Sequence, residues 1–140
     1  MKNELSIYQT LERVMTNVGY IDAATGTHRC FVRDYLGNVR SVIDNSGHVL
    51  EHDGYYPYGA LANAAASSVQ PLKFGGKELE RYEGVDDYDF GARWYNATSL
   101  TTSTADPLAA ETPQLSPYAW CAGNPLRNID PTGRLASDVQ

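Results

Sequence analysis

The sequence predicts a mainly β protein, an antiparallel hairpin meander followed by a loop-rich C-terminal plug with short helical turns. Three observations predict it. An Asp-to-Gly turn signal recurs about every 10 to 12 residues through 13–58. Short runs rich in β-branched and aromatic residues lie between those turns. The last third of the chain is pinned by prolines in Asp-Pro and Ser-Pro pairs. At 140 residues this is one domain's worth of chain, long enough to bury a core.

The turns of the first half read "IDAATG" (21–26), "RDYLGN" (33–38) and "IDNSGH" (43–48). Asp suits the first position because its carboxylate accepts from amides just ahead, and Gly follows where φ turns positive. The strands between are "RCFV" (29–32), "VRSVI" (39–43) and "HVLEH" (48–52). Alternation places Val39, Ser41 and Ile43 on one face and Arg40 and Val42 on the other. No helical stripe survives so many Gly and Asp interruptions. The stretch 53–71 holds two prolines, the cluster Tyr55, Tyr56 and Tyr58, and an Ala/Ser run over 62–68, and reads as a surface loop.

Strands resume in "KFGGKELERYEGVDDYDFGARWYN" (73–96). In "YDFGARWY" the residues Tyr88, Phe90, Ala92 and Trp94 alternate with Asp89, Gly91, Arg93 and Tyr95, which predicts one half-buried strand. Gly91 marks a bulge or a close backbone approach. The acidic residues Glu78, Glu80, Glu83, Asp86, Asp87 and Asp89 read as a solvated turn, because no spacing resembles a calcium loop. Further on, Asp106 before Pro107 fits a cap for "LAAE", and Ser116 before Pro117 repeats the device for "YAWCA", with Gly123 as its left-handed stop. "DPTG" (130–133) fits a type I turn. Local backbone chemistry thus accounts for both Asp-Pro pairs.

Composition narrows the function classes. A chain 42% hydrophobic and 20% charged has the makings of a fold rather than disorder. A net charge of −6 and a pI near 4.9 argue against a nucleic-acid partner. No apolar run is long enough for membrane insertion, and the first residues do not read as a signal peptide, so any export is expected to depend on a larger protein or a partner. Cys30 and Cys121 fit no metal spacing and read as ordinary buried thiols. His28, His48 and His52 read as turn or strand-face residues, with no nucleophile elbow or zinc spacing beside them. No cofactor and no metal site is expected.

Four blocks, "VRDYLGNVRSVIDNSGHVLEHDGYYPYG", "FGGKE", "YDFGARWY" and "SPYAWCAGNPLRNIDPTG", resemble in order the core domain that ends rearrangement-hotspot (Rhs) and YD-repeat proteins. The resemblance runs from about Val32 to Gly133. It implies YD-repeat-like hairpins over 1–60, a loop over 61–72, the core strand and Pro-rich plug over 73–134, and a tail over 135–140. In that family the repeats wind a sheet into a hollow shell, the core domain closes one end, and a polymorphic toxin follows.

In many members the core is also an aspartic self-protease. Carried over, its carboxylates are Asp106 and Asp130 and the bond cut lies near Arg134 and Leu135. Two carboxylates held together share a proton, one polarising the carbonyl while the other activates water. The family pattern also carries an Arg about where Thr101 stands and Asp-Pro where this chain has Asn96 and Ala97. It often has Leu where Arg134 stands. The implied partners are an upstream repeat shell, a downstream toxin, and another copy paired through sheet edges. Parent proteins of the family are typically secreted or cell-surface. Three functions follow: a structural closure module, an aspartic autoprotease, and a surface recognition module presenting Tyr55, Tyr56, Tyr58, Trp94 and Trp120.

Overall fold

The computed structural model describes residues 12–62, 69–82 and 85–138. Strands β1 (Arg13–Thr16), β2 (Gly19–Asp22), β3 (His28–Arg33), β4 (Val39–Ile43) and β5 (Val49–His52) form one antiparallel sheet in chain order. Its three longer turns use the same device. Asp22 Oδ1 accepts from the amides of Ala24 and Thr25, Asp34 Oδ1 from Leu36 and Asn38, and Asp44 Oδ1 from Ser46 and His48, all within 2.8–3.1 Å. Gly26, Gly37 and Gly47 then take φ of 68°, 82° and 82°. These bonds, chiefly from the Thr25 and His48 amides, hold the Asp22 and Asp44 carboxyls below the ordinary range.

Alternation along β4 departs from the expected faces. Val39 and Val42, which strict alternation puts on opposite faces, are both fully buried. The pairing register shifts at Val32/Arg33 and again at Val42/Ile43. Such bulges twist the strand, so side chains three apart reach one core with Tyr20, packed against Phe31, Leu50, Val69 and Leu72.

The second sheet runs β6 (Leu79–Tyr82), β7 (Val85–Asp89), β8 (Trp94–Asn96) and β9 (Thr101–Thr102), again antiparallel and in chain order. "YDFGARWY" is therefore not one strand. Gly91, at φ 84°, makes it a hairpin: the Phe90 amide donates to the Arg93 carbonyl at 3.1 Å, and Asp89 pairs with Trp94. The turn shifts the alternation by one, so Tyr88, Phe90, Arg93 and Tyr95 are buried while Trp94 is exposed.

A second core gathers Phe74, Tyr88, Phe90, Tyr95, Ala97, Trp120 and Cys121. Trp120 stacks on Tyr95 at 4.3 Å between ring centroids and meets Phe90 edge-on at 4.3 Å. Trp120 is thus a core anchor and not a surface contact. Tyr55 and Tyr58 also pack against this core, which leaves Tyr56 and Trp94 as the exposed members of the proposed recognition set. Residues 63–68 of the expected loop lie outside the described residues. Its described start is tied down: Tyr55 bridges Leu61, and the Tyr55 hydroxyl donates to the Val39 carbonyl at 2.6 Å, joining the two cores.

The tail contains 3-10 turns at Ala109–Glu111 and Cys121–Gly123, and a short pair of β10 (Asn128–Ile129) with β11 (Ser137–Asp138). No α-helix occurs among the described residues. The "YAWCA" segment is not a right-handed turn stopped by glycine. Cys121, Ala122 and Gly123 are all left-handed, at φ 47°, 53° and 75°. Non-glycine residues resist that conformation, and the burial of Trp120 and Cys121 here offsets its cost. Burial pushes the Cys121 thiol up to about 12, with the Asp130 charge adding to it, so it stays an unreactive thiol at neutral pH. Cys30 is only half-buried.

Candidate functional site: a guanidinium clamp on the tail

The two carboxylates singled out in the sequence do meet, and they meet at a cation. Arg93, at the start of the return strand of the Gly91 hairpin, is 3% exposed. Its Nη2 lies 2.8 Å from Asp130 Oδ2 and 3.4 Å from Asp106 Oδ2. Nε donates to the Gly133 carbonyl at 2.6 Å and Nη1 to the Pro117 carbonyl at 3.2 Å. One planar fork therefore binds four points along the tail, a task for which guanidinium geometry is suited and an ammonium is not.

Each aspartate also serves the backbone. Asp106 Oδ1 accepts from the Leu108 amide at 2.8 Å, a local turn bond and not the expected helix cap, since the short 3-10 turn Ala109–Glu111 begins after Leu108 and has no side-chain cap. Asp130 Oδ1 accepts from the Arg134 amide at 3.0 Å. Pro117 supplies a further link, its carbonyl accepting from the Asp106 amide at 2.8 Å. Gly133 is needed where it stands: φ is 71°, and a Cβ would lie 2.9 Å from the Phe90 carbonyl oxygen and 3.0 Å from the Arg93 nitrogen. The tail is thus pressed directly onto the Gly91 hairpin, which the Ala92 amide reinforces by donating to Thr132 at 3.1 Å.

Arg93 is the residue the sequence reading missed. The expected cation position, Thr101, is an exposed strand residue paired with Asn96. Arg93 was readable as a neighbour of Tyr95 on one face, but that face was assigned to solvent, and the hairpin turn reverses the assignment. The proposed cut point is split: Arg134 and Leu135 are exposed, yet the peptide joining Gly133 to Arg134 has its carbonyl held by Arg93 and its amide by Asp130. Beside the clamp is a pocket of 150 Å³ bordered by Arg93, Asp106, Thr112, Leu115 and Leu135. Among the described residues no group of side chains is arranged to hold a metal ion.

No protein-family model matches the chain. It is 33% identical over 101 residues to toxin subunit YenC2 of Yersinia entomophaga, covering 69% of this chain and 10% of that one. It is 28% identical over 106 residues to salivary gland surface protein 1 of Aedes aegypti, covering 74% of this chain and 3% of that one. Among solved structures, that of TcdB2-TccC3 matches with a TM-score of 0.66 at 26% identity, over 77% of this chain and 5% of that one. The structure of TcdB2-TccC3-Cdc42 matches with a TM-score of 0.67 at 25% identity, over 78% and 5%. The Tc holotoxin pore of Photorhabdus luminescens matches with a TM-score of 0.67 at 25% identity, over 80% and 5%. The chain spans a tenth or less of each of these proteins. Its relatives thus include Tc toxin subunits, proteins of the Rhs/YD-repeat class, and it is similar to one small β-rich stretch of each.

Proposed function

We propose that this chain is a structural closure module at the C-terminal end of an Rhs/YD-repeat shell that encloses a toxin. One observation carries the reading: Asp106 and Asp130 are both ion-paired to the same Arg93 nitrogen, and each accepts from a local amide. A proton-sharing dyad needs two carboxyl groups whose shared proton decides their charge, whereas here both carboxylates face one buried guanidinium that favours their ionised forms. The arrangement suits a clasp that holds a proline-stiffened tail against the end of a sheet. An upstream repeat sheet and a downstream cargo domain are the partners this role requires.

A second reading is favoured by one feature of the same clasp. The Gly133 carbonyl, the Arg93 guanidinium and both aspartates converge on one spot, as an aspartic autoprotease cutting near Arg134 and Leu135 requires. The two readings separate cleanly. The chain is expressed with a C-terminal extension and its intact mass followed over days at several pH values. Closure predicts no specific product. A single product ending near Arg134, lost in both Asp130→Asn and Asp106→Asn while the fold persists, establishes the protease instead.

A further inference from the structure

A second set of buried charges lies away from the clamp, between the two cores. Glu51 and Asp53 leave the end of β5 on one face, with His52 turned the other way. Glu51 faces Val42 across the sheet and Asp53 is anchored by its amide, which donates to the Arg40 carbonyl at 2.8 Å. Lys73 enters from the opposite side, immediately before the 3-10 turn Phe74–Gly76. Its side chain is 3% exposed, against 0% for Glu51 and 5% for Asp53. Lys73 Nζ contacts Glu51 Oε1 and lies 3.2 Å from Asp53 Oδ2. Glu51 is fixed in place by the Val69 amide at 2.5 Å and Gln70 Nε2 at 3.0 Å.

The geometry points to an intramolecular amide bond between Lys73 Nζ and Asp53 Cγ, formed with Glu51 as the proton carrier. The three groups have the roles such a condensation needs. Burial and the neighbouring Glu51 push the Asp53 carboxyl up to about 6, which favours the neutral, electrophilic acid. Hydrogen bonds to Glu51 from Asp53, Lys73 and Val69 outweigh its burial and hold it below the ordinary range, as a carboxylate able to accept a proton. Glu51 takes a proton from the Lys73 ammonium, and the freed amine attacks Cγ of the protonated Asp53. The tetrahedral centre collapses as Glu51 returns that proton to the departing hydroxyl and then takes the remaining proton from the nitrogen, ending as the neutral acid. One C–N bond forms, one C–O bond breaks and one water leaves, with no oxidant or activating group.

Two physical terms drive the reaction forward. Holding amine and acid in contact replaces a bimolecular encounter by an intramolecular step. Converting a buried ion pair to a neutral amide also removes the desolvation penalty of both charges. The bond would tie the last strand of the first sheet to the segment that starts the second, independently of what the tail clamp does.

The test is the mass of the whole chain under denaturing conditions, with folding checked by Trp fluorescence and thermal melting. The expected result is a loss of one water, about 18 Da, with a branched peptide joining Asp53 to an uncut Lys73. Asp53→Asn is expected to lose ammonia instead, about 17 Da, and Glu51→Gln and Lys73→Arg to keep their full mass while folded. A folded parent chain that stays at its sequence mass after days overturns the proposal. So does a water loss that maps to a cyclic imide at Asp53–Gly54 with Lys73 cleaved normally, or one that persists in Lys73→Arg.

Discussion

Replacing Arg93 by Met keeps most of the side-chain volume and removes the charge and every donor of the clamp. The structure sets the size of the effect. Asp130, with a fully buried side chain, would retain only the Arg134 amide as a partner, and the Gly133 carbonyl would lose its 2.6 Å donor. Stranding one member of a buried ion pair costs about 3–5 kcal/mol. For a chain of this size that lowers the melting temperature by roughly 10–20 °C. The two aspartates are not equivalent. Asp106 is farther from Nη2, at 3.4 Å, and its side chain keeps 16% of its exposure, so Asp106→Asn should cost about 1 kcal/mol or less. Urea unfolding followed by fluorescence of the buried Trp120 measures Arg93→Met, Asp106→Asn and Asp130→Asn alike, and the double variant Arg93→Met with Asp130→Leu should recover much of the loss because no charge is stranded. An Arg93→Met protein within about 1 kcal/mol of the parent, or an Asp106→Asn cost equal to that of Asp130→Asn, refutes the clamp.

Two further outcomes are expected. Gly133→Ala should destabilise by well over the roughly 1 kcal/mol of Gly26→Ala, since both glycines have positive φ but only Gly133 faces backbone within 3.0 Å; equal costs in urea melts would contradict this. Asp44→Asn should lower the melting temperature at neutral pH, and the gap should close on acidification. The Asp44 carboxyl sits below its ordinary value in the fold, so its contribution is full above that value and is lost as pH falls through the folded one. A gap that does not change between pH 7 and about 2 counts against the turn bonds.

The meander was legible because its signals are local. Asp22, Asp34 and Asp44 each act on amides within four residues, so a short window contains the whole interaction. The local backbone service of Asp106 and Asp130 was legible for the same reason, although Asp106 closes a turn and caps no helix. What failed was anything that depended on the phase of a strand or on distant segments. One hairpin turn at Gly91 exchanged the faces of Arg93 and Trp94, and the bulges flanking β4 moved Val42 into the core. Trp120 reads as an interface aromatic until Tyr95 and Phe90 are placed around it. Lys73, Glu51 and Asp53 look like surface charges one at a time, because their burial exists only once β5 and the segment before Phe74 are packed together.

The clamp also dictates when this module can be finished. Arg93 is 37 residues from Asp130 and 40 from Gly133, so its guanidinium has no complete set of partners until the segment through Gly133 is available. Hairpins close quickly and early, whereas contacts across such separations form late. During synthesis the β-ribbons would therefore stand assembled around an unanswered positive charge, waiting for Gly133. A chain cut before Asp130 would leave that charge without its buried partner, a sharp physical distinction between a closed clasp and an open one.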